Sequence, residues 1–212
     1  MQHEFEQRTH EWISHRLGKA TASKIADVMA RTKTGYSTSR ANYAAQLVVE
    51  RLTGRPTEGF TNAAMQHGID HEAAAREAYE RHAFCTVAEI GFVDHPRIAW
   101  AGASPDGLIG DVGLCEIKCP TQATHLDTLL GAPIADKYLK QMQWQIACTN
   151  RDWCDFVSYD PRFPEEMQLH VRRVERDNEL IEEMEREVET FLAEVAERVE
   201  RLQSTYMMKE AA

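Results

Sequence analysis

Asp106, Glu116 and Lys118 are the side chains of this 212-residue sequence whose types and spacing most directly suggest chemistry. Asp106 stands in Ser104-Pro105-Asp106-Gly107, and the other two in Glu116-Ile117-Lys118-Cys119-Pro120. Between the motifs, an apolar pair (Leu108, Ile109), a turn (Gly110-Asp111-Val112-Gly113) and a second apolar pair (Leu114, Cys115) form a β-hairpin pattern. Folding about that turn sets Asp106 opposite or diagonal to Glu116, within about 5–8 Å. Lys118 shares the face of Glu116, because strand side chains repeat every second residue. Two carboxylates this close repel, and a divalent cation removes that cost. Their separation suits an oxygen-ligated Mg²⁺ that keeps several waters and takes up phosphate oxygens, with the lysine orienting or deprotonating an attacking water. A surface hairpin with an ordinary Glu-Lys pair is the competing reading, and spacing alone leaves both open.

Taken together, the two motifs resemble the PD-(D/E)XK nuclease signature as it is written in the bacteriophage lambda exonuclease (YqaJ-type viral recombinase) family. The resemblance also takes in Trp12 to Ser23 upstream and Gln141 and Tyr159-Asp160-Pro161 downstream, in order and over most of the chain. It implies a restriction-endonuclease-like α/β fold with a mixed central β-sheet flanked by helices. It further implies a Mg²⁺-dependent deoxyribonuclease, with Mn²⁺ as a substitute. Such an enzyme degrades one strand of duplex DNA from its 5′ end, releases 5′-mononucleotides and leaves 3′ single-stranded tails for recombination. By the same resemblance, Asp106, Glu116 and the Ile117 carbonyl hold the metal, Glu72 and Gln141 complete or support the site, and Lys118 handles the water. Arg16, Ser23 and Ser104 then hold the terminal 5′-phosphate. A ring-shaped homotrimer and a partner that anneals single strands are implied on the same basis; no periodicity in the sequence points to a ring.

These residues need elements to position them, and the rest of the chain supplies candidates. The length suits one domain over residues 1–212, and no Pro/Gly/Ser linker divides it. The sequence contains neither an 18-residue apolar run nor a basic-then-apolar leader, so a membrane span is not expected and a cytoplasmic location is. Five cysteines without a Cys-x-x-Cys pair argue against a disulfide framework, a zinc ribbon or an iron–sulfur nuclease. Buried free thiols are expected instead.

A net charge of −10 disfavours a nucleic-acid substrate when taken as a whole, but its distribution is uneven. Residues 1–60 carry nine Lys/Arg against six Asp/Glu, whereas residues 175–201 carry four against eleven. Local potential governs phosphate binding, so the amino-terminal third remains a credible phosphate-facing surface. There, Thr21 or Ser23 would cap a helix running through Ile25, Val28 and Met29, and a helix amino terminus with a nearby arginine favours an anion. A capped helix with a solvated Arg16 is the plainer alternative. Lys19 and Lys24 add positive charge beside the motif, a departure from the family pattern. Residues 31–40 read as a mobile basic loop ahead of a helix near 41–53.

Residues 63–82 read as a helix. Its His67/His71 pair lacks the glutamate placement of a zinc site, so solvated histidines are expected there. Met65, two turns before Glu72, would either be a buried helix methionine or wedge between terminal base pairs. Residues 86–93 and 97–101 are strand candidates that lead into the hairpin. Helices are expected over 122–130 and 135–148, the latter carrying Tyr138, Gln141, Met142 and Gln145 on one side. Strands follow over 153–159 and 167–174. Residues 175–206 form a long acidic helix with a stripe from Ile181 to Leu202, expected to cover the sheet, with a subunit contact as the other option. An endonuclease of the same fold would share Asp106, Glu116 and Lys118 but need no end-phosphate site. A catalytically idle DNA-binding or assembly module would not need the intact acid-acid-lysine set.

Overall fold

The alternation of side chains along one strand, Gly113–Lys118, decides which layers lie above and below the sheet. In the computed structural model, which describes residues 2–3, 7–57 and 63–207, the chain opens with β1 (Gln2–His3), α1 (His10–Arg16), β2 (Ala20–Thr21) and α2 (Ile25–Met29). A hairpin of β3 (Arg31–Thr32) and β4 (Gly35–Tyr36) leads to α3 (Thr38–Thr53) and α4 (Ala63–Ala83). Four short strands come next: β5 (Val87–Ala88), β6 (Phe92–Asp94), β7 (Ala101–Ala103) and β8 (Gly107–Ile109). The central strand β9 (Gly113–Lys118) precedes α5 (Gln122–Leu129), α6 (Asp136–Thr149), β10 (Trp153–Tyr159), β11 (Leu169–Glu175) and α7 (Asn178–Tyr206).

The main sheet has the order β11-β10-β9-β8-β5, in which only β9 and β10 run parallel. Parallel neighbours require a crossover, and α5 with α6 provides it. Leu114, Cys154 and Phe156 pack into a core shared with α2, α3, α6 and α7, while Cys115, Ile117, Val157 and Tyr159 pack against Ala75 and Tyr79 of α4. Glu116 and Lys118 alternate with Cys115 and Ile117, so both lie on the α6 side. At the other end of β9, Gly113 lets the Trp153 ring cross the strand. A Cβ there would stand 2.2 Å from the ring, so no other residue fits without displacing it.

Several expectations need correction. Residues 86–93 are two strands in two sheets, because β5 pairs with β8 while β6 joins a second sheet of order β1-β6-β7-β2. Residues 97–100 form a turn rather than a strand; Pro96 has no N–H for a ladder, and Trp100 takes a left-handed φ of 63°. The helix expected after Ser23 is a short 3₁₀ turn followed by the five-residue α2, and neither Thr21 nor Ser23 caps them. Residues 31–36 form a hairpin held against α7, since Arg31 and Tyr36 both bond Glu187. Arg40 is buried, donates to the Val28 carbonyl at 2.9 Å and pairs with Glu194 at 2.8 Å. Much of the local basic charge is thus bound to the acidic helix. The α7 stripe packs on α2, α3 and α6, which separate it from the sheet. Three of the five cysteines are buried, and all are free.

Candidate active site

The site begins at the open end of the β8–β9 hairpin. Gly107 pairs with Cys115, so the next step of the same register sets Asp106 across from Glu116, as the turn chemistry implied. Asp106 Oδ2 accepts the Ile117 N–H at 2.7 Å. The N–H and C=O of one strand residue leave on the same side, so the Ile117 carbonyl shares that gap. Burial, and then the charge of Glu116, push the Asp106 carboxyl well above its ordinary range.

Glu116 is 1% exposed and held by three donors. Its Oε1 accepts from Lys118 Nζ and from Gln141 Nε2, the latter at 2.6 Å; its Oε2 accepts from Gln145 Nε2, also at 2.6 Å. Both glutamines come from α6, one turn apart, as does Tyr138, whose ring lies 5.0 Å from the Lys118 ammonium. Burial pulls the lysine pKa down, but Glu116 and Asp106 outweigh it and raise it. In this arrangement Lys118 is an ammonium.

A cleft of about 930 Å³ opens onto Asp106, Ile117 and Lys118, with Glu72 on its α4 wall. Its other cations are Arg8, Lys137 and Arg162. Glu72 is engaged by Arg8 and lies 3.8 Å from Arg76, and after burial and Glu116 its charge adds to the rise at Asp106. Among the described residues, no three His, Cys, Asp or Glu side chains close on a metal by themselves. The donor set nevertheless fits a hard, hydrated cation: two opposed carboxylates, one of them raised by burial and then by the charge of the other, with waters and phosphate oxygens left to complete the shell. The His67 and His71 rings lie with centroids 4.1 Å apart and planes tilted by 41°, and His71 Nδ1 bonds the His67 carbonyl at 2.8 Å. The side chain of Met65 lies outside the described residues.

A second hollow, of about 440 Å³, is lined by Trp12, Arg16, Lys19, Ser23, Lys24 and Tyr43 among others. The Arg16 guanidinium sits 4.1 Å from the Trp12 ring centroid, and burial lowers its pKa against the opposing pull of Tyr43 and Glu50. Trp12 also donates from Nε1 to Ser104 Oγ at 2.9 Å. One tryptophan therefore touches Arg16 on one side and, on the other, a serine two residues from Asp106. Lys19 pairs with Asp94 at 2.6 Å, and Lys24 with Asp27 at 3.0 Å.

The sequence pattern of the YqaJ-like viral recombinase domain matches residues 11–152, a span that includes Arg16, the hairpin and Gln145. The chain belongs to the YqaJ-like viral recombinase family. Among solved structures, this YqaJ-like chain is similar to an alkaline exonuclease from Laribacter hongkongensis. The two are 51% identical with a TM-score of 0.87, over 93% of this chain and 97% of that one. The complex of that exonuclease with dAMP matches at 52% identity and a TM-score of 0.86, over the same shares. A phage-related exonuclease from Haemophilus somnus 129PT shares the fold at 14% identity and a TM-score of 0.66, over 87% of this chain and 96% of that one. An uncharacterized protein of Acanthamoeba polyphaga mimivirus, R354, is 26% identical over 73% of this chain, which spans only 29% of that protein's length. The fold is the mixed α/β, PD-(D/E)XK-like core of these exonucleases.

Of the residues singled out in the sequence, Asp106, Glu116, Ile117, Lys118 and Gln141 come together, and Arg16 and Ser23 line one hollow. Ser104 is linked to that hollow through Trp12, and Glu72 lines the same cleft as Asp106 with Arg8 bonded to it. Gln145 and Trp12 went unassigned. Gln145 stands four residues after Gln141, a spacing that puts both amides on one helix face, and this was the available signal.

Proposed function

We propose that the protein is a Mg²⁺-dependent exonuclease that degrades one strand of duplex DNA from the 5′ end, releasing 5′-mononucleotides and leaving 3′ tails. The observation that carries this reading is Asp106 and Lys118 at the floor of a cleft rimmed with cations, with Glu116 buried behind them and bonded to Lys118. Asp106, Glu116 and the Ile117 carbonyl would hold the cation, with Mn²⁺ as a substitute and Glu72 available once released by Arg8. When bound, such an ion stabilises the charge that develops on the scissile phosphate. Lys118, protonated beside its two carboxylates, donates to the attacking water and orients it; to act as a base it must first lose its own proton. Gln141 fixes the Glu116 oxygen that Lys118 shares. Arg16 and Ser23, with Ser104 behind Trp12, would grip the terminal 5′-phosphate through charge-assisted hydrogen bonds. Met65 is offered either as a wedge that parts the end base pair or as a buried helix methionine: slower digestion of duplex by Met65→Ala at unchanged stability supports the wedge, and lowered stability with equal digestion supports the buried residue. A homotrimeric ring and a single-strand annealing partner complete the family-based reading, and light scattering on the purified protein measures the former.

The deciding experiment is digestion of end-labelled linear duplex, with and without a 5′-phosphate, beside a closed circle. Rapid loss of the 5′-phosphorylated end with an intact circle supports the exonuclease. Nicking of the circle identifies an endonuclease of the same fold, and no cleavage under Mg²⁺ or Mn²⁺ identifies an idle binding module.

A further inference from the structure

Gln145 is fully buried, and its carbonyl Oε1 has no hydrogen-bond partner among the described residues, while its amide nitrogen reaches Glu116 Oε2 at 2.6 Å. A buried acceptor left unpaired is unfavourable. A side chain that only filled the space between α6 and β9 would do better as leucine or methionine, so the bond to Glu116 is what accounts for an amide here. That bond divides the carboxylate. Oε1 is shared by Lys118, which lines the cleft, and Gln141; Oε2 is turned to the core and held there.

We infer that Gln145 is a positioning residue that makes Glu116 a one-oxygen ligand, and thereby sets which cation the site accepts. The inference rests on the metal-dependent reading above. Mg²⁺ and Mn²⁺ are small, six-coordinate ions satisfied by single carboxylate oxygens and water, whereas Ca²⁺ takes more oxygens and often both of one carboxylate. With Oε2 fixed by Gln145, Glu116 cannot turn to offer both. Without the clamp, the carboxylate is free to swing and the site loses its preference for the smaller ions.

The test is direct metal binding, independent of turnover. Mn²⁺ is titrated into the full chain by electron paramagnetic resonance and then displaced with Mg²⁺ or Ca²⁺, for the native protein, Gln145→Met and Asp106→Asn. Losing a group that orients a metal ligand typically weakens binding about 10–100-fold. Gln145→Met should therefore bind Mn²⁺ and Mg²⁺ about tenfold more weakly while Ca²⁺ is unaffected or tighter, so the Mg²⁺/Ca²⁺ affinity ratio contracts. Asp106→Asn should lose binding of all three. If Gln145→Met melts earlier yet keeps the native ratio, Gln145 is only a packing residue and the inference fails. If the native protein binds none of the ions in a way that Asp106→Asn abolishes, the metal-dependent reading itself fails.

Discussion

Asp106 Oδ2 accepts the N–H of Ile117 at 2.7 Å, so the first acid of the site is fastened to the strand that carries the second. The pair is therefore rigid and mutually repulsive, and that repulsion can be measured.

Asp106→Asn removes the repulsion and keeps an acceptor for Ile117. The Asp106 carboxyl is raised first by burial and then by Glu116, so the folded protein holds this proton more tightly than the unfolded chain does. Its contribution to stability is full below the unfolded value of about 3.9 and is lost as pH rises through the folded one. In EDTA at neutral pH the variant should have a higher urea midpoint than the native protein, and the gap should close on acidification. Its nuclease rate should fall about 10²-fold or more. A lower midpoint at neutral pH would contradict this account.

Lys118→Ala should reduce cleavage about 10²–10⁴-fold. It also strips one donor from buried Glu116, so it destabilises as well. Because Lys118 is 25% exposed and both glutamines stay on the carboxylate, the loss should fall below the roughly 3–5 kcal/mol typical of breaking a fully buried pair. Single-turnover rates together with chemical denaturation separate the two effects.

For end recognition, Arg16→Ala should erase discrimination between 5′-phosphate and 5′-hydroxyl duplexes. Charge-assisted hydrogen bonds contribute about 1.5–3 kcal/mol each, so the native preference should be about tenfold or more and that of the variant close to one. Initial rates on otherwise identical blunt duplexes measure it, and equal native rates on the two ends would remove Arg16 from this role.

The basic segment 31–40 divides into two kinds of arginine. Arg40 is buried between the Tyr36 and Phe191 rings, with Arg40 Cζ 3.8 Å and 5.0 Å from their centroids, and it holds α3 to α7 through Glu194. Arg40→Ala should cost about 2–4 kcal/mol, less than a fully buried pair because Glu194 is partly exposed. Arg31 lies at the surface, and Arg31→Ala should leave the urea midpoint nearly unchanged. If DNA association weakened strongly in Arg40→Ala at full stability, the segment would be a phosphate contact after all.

The hairpin was legible because its information is local: a Gly-Asp turn sets the register, and period two sets the face. Asp106, Glu116 and Lys118 followed from those two rules. For Gln145 the helical spacing gave only the face it shares with Gln141; its partner, Glu116, lies 29 residues away, and helix-to-sheet packing leaves no local mark of that bond. Residues 31–36 lack apolar periodicity and so read as mobile, yet their anchor is Glu187, more than 150 residues downstream. The break at 97–100 was written in Pro96, but an apolar run ending at Trp100 concealed it. Glu72 was placed on the correct helix, where Arg76 stands one turn on, while Arg8, a tertiary neighbour 64 residues away, was not legible.

The alternation along β9 carries a consequence for how this gene can drift. One residue inserted or deleted between Leu114 and Lys118 would exchange the two faces, sending Cys115 and Ile117 toward α6 and the acid and the lysine into the apolar layer under α4. A length change confined to the exposed Gly110–Val112 turn leaves both faces intact. Related chains should therefore tolerate indels in that turn and show none across the five residues that follow Gly113.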